Sequence, residues 1–352
     1  MNLKNNVLKV LSGEKTDLTP VISVTQLGIV EAMEQTDSFW PEAHEDADKM
    51  ATLGSSLYEL AGLECARIPF CLTVEAEALG CEVDLGDKER TPQIKSTPFK
   101  SGSEIEVPSN FLSSGRIPIV LEAIDKLKDK YGDTLPIIVG MTGPFTLTGH
   151  LLGVENLVRL MKIRPEEIET ALDNSLDACM DYAEAISEAG PDIICVAEPT
   201  AAPELIDPLQ FKSMVKPALE DLANVIKTKK VLHICGSTQP IIKDMATIGY
   251  DGISVEEKVD IKKAKEELER VSPMRVGGKS MTVGSSKKSK IVGNISTTQT
   301  LFRGTEEEIK NEVKMVLDAG IDILAPSCGL APRSPLKNIK TMIDARNEFF
   351  ND

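Results

Sequence analysis

The stretch VLHICGSTQP, residues 231–240, places a histidine and a cysteine two positions apart at the end of an apolar run. The chain holds three histidines and seven cysteines, so His233-Ile234-Cys235 is scarce material with two readings. It is either half of a metal site or two polarisable residues that end a strand. On extended backbone, side chains two apart point the same way, which lets His233 and Cys235 grip one ion. Cys328, in APSCGLAPR, ends another apolar run far downstream and offers a third ligand. Two thiolates and one imidazole form a soft set that selects zinc over magnesium or calcium. Three protein ligands with an exchangeable fourth position is the arrangement of catalytic zinc, whereas structural zinc has four fixed ligands. The competing reading is that buried cysteine is common as a small hydrophobe.

Charge narrows the reaction such a site would suit. A zinc dication with two thiolates and a neutral histidine is formally neutral, and a substrate thiolate would make it anionic. That is a poor Lewis acid for a carbonyl. It still lowers the pKa of an incoming thiol below its free value of about 8.5 while leaving the sulfur electron-rich. The chemistry that fits is alkylation of a thiol.

Residues so far apart must be brought together by the elements between them. Apolar runs with Val and Ile on both parities predict strands at 20–26, 65–70, 136–142, 192–199, 230–236, 252–258, 290–296 and 322–329. Amphipathic patterns predict helices at 43–61, 116–131, 166–189, 209–227, 238–247, 260–270, 305–319 and 336–349. Eight strands, each followed by helix, predict a (β/α)8 barrel. An open doubly wound sheet is the alternative, but PVISVTQLG stands where its Gly-rich turn would be. The whole chain, 1–352, reads as one barrel domain.

In a barrel the C-terminal strand ends converge. Here they carry Thr25, Gln26, Phe70, Cys71, Thr142 to Phe145, Glu198, His233, Cys235, Glu256, Glu257, Asn294 and Cys328. Two segments break the rhythm. Residues 72–115 form a long excursion after the second strand, placed to act as a lid. Residues 272–290 hold five basic residues and no acidic one, on the face opposite the strand ends. They read as a solvated loop or small hairpin, or as a docking patch for an acidic partner.

With 41% hydrophobic residues the chain can bury a large core. A formal charge of −16 argues against nucleic acid as partner. No apolar run approaches the roughly 20 residues that span a bilayer, and the N-terminus lacks the pattern of a signal peptide. An odd number of irregularly spaced cysteines makes no disulfide framework, so a cytoplasmic setting is expected.

Several long stretches carry a family likeness: PVISVTQLGIVEAM, WPEAHED, IPFCLTVEAEALGCEVDLG, GMTGPFTLTGHL, VLHICGSTQPI, DGISVEEKVDIKKAKE, VGNIS and DILAPSCGLAPRSPLKNIKTM. With them the chain resembles, nearly end to end, the archaeal methylcobalamin:coenzyme M methyltransferases of methanogenesis from methanol and methylamines. These belong to the uroporphyrinogen decarboxylase-like superfamily of barrels. The resemblance implies zinc held by His233, Cys235 and Cys328, with Glu256 as an exchangeable fourth ligand. It implies activation of coenzyme M, 2-mercaptoethanesulfonate, and a methyl group supplied as methylcobamide by a separate corrinoid protein. Gln26, Thr142, Glu198 and Asn294 are expected to line the thiol and corrinoid pocket, with core hydrogen bonding as the competing reading. Cys71 is expected to be buried and inert. Arg67 and Lys258 come into question for the sulfonate, and neither is assigned.

The decarboxylase branch uses an arginine-rich stretch after its first strand, where TQLGIV stands here, which argues against decarboxylation. His150-Leu151-Leu152-Gly153 imitates half of the D-x-H-x-x-G of cobalamin carriers, but Thr148 replaces the Asp and the match reads as chance. The segment 272–290 departs from the family pattern. Transfer to another thiol such as homocysteine, or a metal-free binding barrel, are the alternatives.

Overall fold

Parallel strands curl into a closed ring in the computed structural model, which describes residues 2–270 and 288–351 and the backbone of 275–276 and 279–280. In chain order the strands are β1 (Ala66–Ile68), β2 (Glu82–Asp84), β3 (Gln93–Ser96), β4 (Ile137–Thr142), β5 (Ile193–Ala197) and β6 (Lys229–His233). Then follow β7 (Gly252–Ser254), β8 (Arg275–Val276), β9 (Lys279–Ser280), β10 (Lys290–Ile295) and β11 (Ile323–Pro326). One sheet runs β1-β4-β5-β6-β7-β10-β11, parallel throughout. Every residue of β4 and β5 is buried, the result of helices outside and side chains inside, and the reason these strands show no alternation.

The ring closes through residues 20–24. Ile22 N–H donates to the Leu324 carbonyl at 3.1 Å and Leu324 N–H to the Pro20 carbonyl at 2.9 Å. On the other side Glu64 N–H donates to the Val21 carbonyl at 2.9 Å. The fold is a (β/α)8 barrel, as the alternation of elements predicts. The first strand, expected over 20–26, is reduced to a single bridge between Val21 and Leu324. Ser23 breaks its ladder: its N–H turns to the Cys65 sulfur at 3.2 Å and its hydroxyl to the Thr25 carbonyl at 3.1 Å. A buried ion pair stiffens this seam. Arg346, on the C-terminal helix Leu336–Asn351, pairs with Glu64, whose carboxylate also accepts from Val21 N–H at 2.9 Å.

The helices start and stop where local chemistry dictates. Thr305 and Glu308 form a reciprocal capping box at the start of Glu306–Asp318. Gly62, with φ of 83°, ends Ala47–Ala61 in the left-handed conformation that glycine reaches without strain. The excursion 72–115 is structured rather than irregular, with helix Val74–Ala78, the antiparallel hairpin β2–β3 and two 3-10 turns. The segment 272–290 lies largely outside the described residues, where β8 and β9 pair antiparallel. No described helix is long and apolar enough to cross a membrane.

Candidate metal centre

Strand β6 ends on His233, and Cys235 follows two residues later. Cys328 stands two residues beyond β11. Because the barrel brings these strand ends to one face, the ligand atoms of His233, Cys235 and Cys328 all lie within 4.8 Å of one another. The Cys235 sulfur is 3.2 Å from His233 Nε2 and 3.6 Å from the Cys328 sulfur. His233 is buried and both cysteines are half-buried.

The imidazole is held from behind. His233 Nδ1 is 3.0 Å from the hydroxyl of Ser254, which is wholly buried on β7 and paired in register with His233. With Nδ1–H donated to that hydroxyl, the Nε2 lone pair faces the two sulfurs, the tautomer a metal requires.

The thiols titrate as a pair. The hydrogen bond from Cys235, aided by His233 and the Gly329 N–H, holds the Cys328 thiol well below its ordinary range. The same bond, together with burial, pushes Cys235 up. Two thiolates 3.6 Å apart repel, so ionising one sulfur opposes ionising the other. A dication would remove that conflict and ionise both. The donor set therefore fits zinc: soft sulfurs, an oriented imidazole and a charge deficit of the right sign.

Glu256 stands beside this group. Burial, then the charge of Cys328, pushes its carboxyl up, while the Gly236 N–H opposes the shift. Glu256 lies outside the group of three, yet near enough to Cys235 to help push that thiol up, and Lys258 Nζ lies 3.9 Å from its carboxylate. Glu257 is exposed.

A cavity of about 610 Å³ opens beside His233 and Cys235, a size suited to a small-molecule site. Its walls include Gln26, Arg67, Phe70, Cys71, His233 and Cys235, and residues 89–94 of the β2–β3 hairpin form part of its rim. Arg333 ties that hairpin across the mouth, donating through Nε and Nη2 to the two oxygens of Glu89, each at 2.8 Å.

Of the four residues expected to line the pocket, Gln26 does so, donating to the Leu330 carbonyl at 2.6 Å. The other three are buried behind the wall. Thr142 donates to the Leu72 carbonyl and to Glu75, both at 3.0 Å. Glu198 accepts from Phe145 N–H at 3.0 Å and from Thr146 N–H, at the start of helix Pro144–Leu152. Asn294 donates to the carbonyls of Glu256 and Val259, each at 3.0 Å, and so steadies the loop carrying Glu256. Cys71 is buried at the cavity wall and accepts from Arg116 Nη1 at 3.3 Å. His150 lines the cavity, and burial lowers its pKa to about 4. Ser254 was invisible to sequence reasoning: a lone serine in GISV signals a partner only once the β6–β7 register is known.

The family described as uroporphyrinogen decarboxylase (URO-D) matches residues 2–349. Methylcobamide:CoM methyltransferase MtaA of Methanosarcina barkeri is 41% identical over 350 residues, covering 99% of this chain and 98% of that one. Methylcobamide:CoM methyltransferase MtbA of Methanosarcina acetivorans is 35% identical, covering 98% of each. A solved structure of a methyltransferase from Methanosarcina mazei superposes with a TM-score of 0.91 at 42% identity, covering 99% of both chains.

Proposed function

The chain belongs to the methylcobamide:CoM methyltransferases of the uroporphyrinogen decarboxylase family, and from that membership we propose that it transfers a methyl group from a methylated corrinoid protein to the thiol of coenzyme M. The observation that carries the reading is the convergence of one imidazole and two thiols within 4.8 Å at the edge of an open cavity.

His233, Cys235 and Cys328 would hold zinc, with Glu256 adjacent as a carboxylate that yields its place to a stronger donor. When bound there, zinc supplies the charge that makes a thiol ionise at neutral pH without quenching its sulfur as a nucleophile. Ser254 would accept the Nδ1 proton of a metal-bound His233, and the β2–β3 hairpin forms part of the cavity rim. In the transfer, the acceptor sulfur forms the S–CH3 bond as the Co–C bond breaks, and that bond's electron pair stays with cobalt as Co(I). The thiol proton leaves to solvent.

The methyl carrier is a separate protein that docks at the barrel mouth, and the pathway is methanogenesis from methylated compounds. The chain acts as one barrel domain. All seven cysteines are unpaired, which supports a reducing, cytoplasmic setting.

The test follows methylcobalamin demethylation spectrally with coenzyme M, with homocysteine and with no thiol. Rapid loss of the methylcobalamin spectrum with coenzyme M is the expected result. Faster reaction with homocysteine would move the acceptor assignment, and no thiol-dependent reaction would overturn the reading.

A further inference from the structure

Among the described residues three arginines are almost wholly buried, and they are not equivalent: Arg67 is 2% exposed, Arg116 4% and Arg346 1%. Arg346 pairs with Glu64, and Arg116 Nε with Glu77 at 2.6 Å. Arg67, on β1, has no carboxylate partner among the described residues. Its described hydrogen bonds go to two backbone carbonyls, Val24 at 3.3 Å from Nε and Pro69 from Nη1. Carbonyl dipoles solvate a guanidinium in part but leave its charge uncompensated.

Nor do its titratable neighbours supply a counter-charge. Those acting on Arg67 are the thiols of Cys195, Cys71 and Cys65. Burial pushes Cys65 and Cys195 up to about 12, which keeps both neutral. Cys71 already serves as acceptor to Arg116. The barrel nevertheless makes room for this cation. A Cβ at Gly140 on β4 would sit 2.0 Å from Arg67 Nη2, so any residue but glycine there would displace the guanidinium.

Arg67 lines the same cavity as His233 and Cys235. The other described arginine on that cavity, Arg90, is already paired with Asp84 at 2.6 Å. The guanidinium sits against Gly140 on β4, in the wall of the cavity that His233 and Cys235 also line. A thiol held at His233 and Cys235 would therefore share one cavity with this cation, along with any charged tail it carries.

Resting on the proposed methyl transfer to a thiol, we infer that Arg67 is the counter-ion for the acceptor's anionic tail, a sulfonate, and that it sets the preference for an anionic over a neutral thiol. A guanidinium offers two parallel N–H donors to two oxygens of a sulfonate. It also gives a small anion a local reason to enter a chain with net charge −16.

The test compares 2-mercaptoethanesulfonate with 2-mercaptoethanol, which differ in the charged tail alone, in the wild type, Arg67→Met and Arg67→Lys. In Arg67→Met, KM for the sulfonate should rise by about 100-fold, the scale of losing one partner of a buried charge pair. The kinetic constants for 2-mercaptoethanol should change far less than those for the sulfonate, and Arg67→Lys should recover part of the sulfonate preference. The ratio between the two thiols is internal to each protein and does not depend on how much of it folds. Independently of turnover, calorimetry should detect ethanesulfonate binding to the wild type, with or without zinc, and not to Arg67→Met. An unchanged thiol ratio, or ethanesulfonate binding equally to both proteins, would overturn the inference and leave the methyltransferase reading standing. If no thiol is accepted by the wild type, that reading fails, and the ethanesulfonate titration still decides whether Arg67 holds an anion.

Discussion

Replacing Ser254 by alanine removes one hydroxyl and should weaken zinc binding without touching a ligand. In the wild type the buried Ser254 hydroxyl lies 3.0 Å from His233 Nδ1, where it can accept the proton that this nitrogen must carry once Nε2 binds a metal. In the metal-free variant the proton can move to Nε2 and be donated to the Cys235 sulfur 3.2 Å away, so the apo protein loses little. Zinc binding takes the Nε2 lone pair and forces the proton back to a buried Nδ1 with no acceptor. The metal-free variant loses only a donor to the Nδ1 lone pair, whereas the bound variant buries an N–H without an acceptor, so the larger share of the penalty falls on the bound state. A buried donor left unsatisfied costs about 1–3 kcal/mol, or about 5- to 150-fold in Kd. Loss of outer-shell partners elsewhere gives a similar range of about 10- to 100-fold. Competition for zinc against a chromophoric chelator measures this directly, with Ser254→Thr as the variant that keeps a hydroxyl. A Kd for Ser254→Ala within twofold of wild type would refute the tautomer argument.

Two further predictions concern stability. His44 is wholly buried with neither ring nitrogen hydrogen-bonded, stacked on Trp40 at 5.3 Å, and burial, aided by the charge of Arg116, lowers its pKa from 6.5 to about 3. Below pH 6.5 the unfolded chain binds a proton there that the native state refuses. The stability that neutral His44 contributes is thus present above pH 6.5 and lost as pH falls toward 3. Between pH 7 and pH 4 wild type should lose about 3 kcal/mol relative to His44→Phe in urea unfolding, and parallel pH profiles would contradict this. Arg346→Ala strands the buried Glu64 carboxylate and should cost about 3–5 kcal/mol, whereas replacing both residues with leucine should cost less than either single change. Urea titrations of the three variants check that order.

What the sequence made legible follows from what is local. Strands buried on both faces announce themselves by Val and Ile on both parities, and the strand–helix alternation carries the barrel. His233 and Cys235 are readable because strand parity places them together, and Cys328 because it holds the equivalent position after β11. Parity cannot tell whether a polar strand-end residue faces the cavity or turns back into the wall. Thr142 and Glu198 turn back, satisfying the backbone and side chains around helix starts, and Asn294 holds a loop. Cross-strand partners such as Ser254 depend on register, which no single strand encodes. The unpaired state of Arg67 is legible only when every nearby carboxylate has been placed. Residues 20–26 have the composition of a strand, yet Ser23 spends its N–H on a sulfur and ends the ladder after one bridge.

The central claim is that three side chains from two strand ends hold one zinc and that methyl transfer depends on it. The most direct measurement is zinc content per chain, alongside methylcobalamin demethylation with coenzyme M, in the wild type, Cys235→Ala and Cys328→Ala. The wild type should carry about one zinc per chain, and each variant should lose both zinc and thiol-dependent turnover. A zinc-free wild type that still transfers methyl, or full activity in either cysteine variant, would contradict the account.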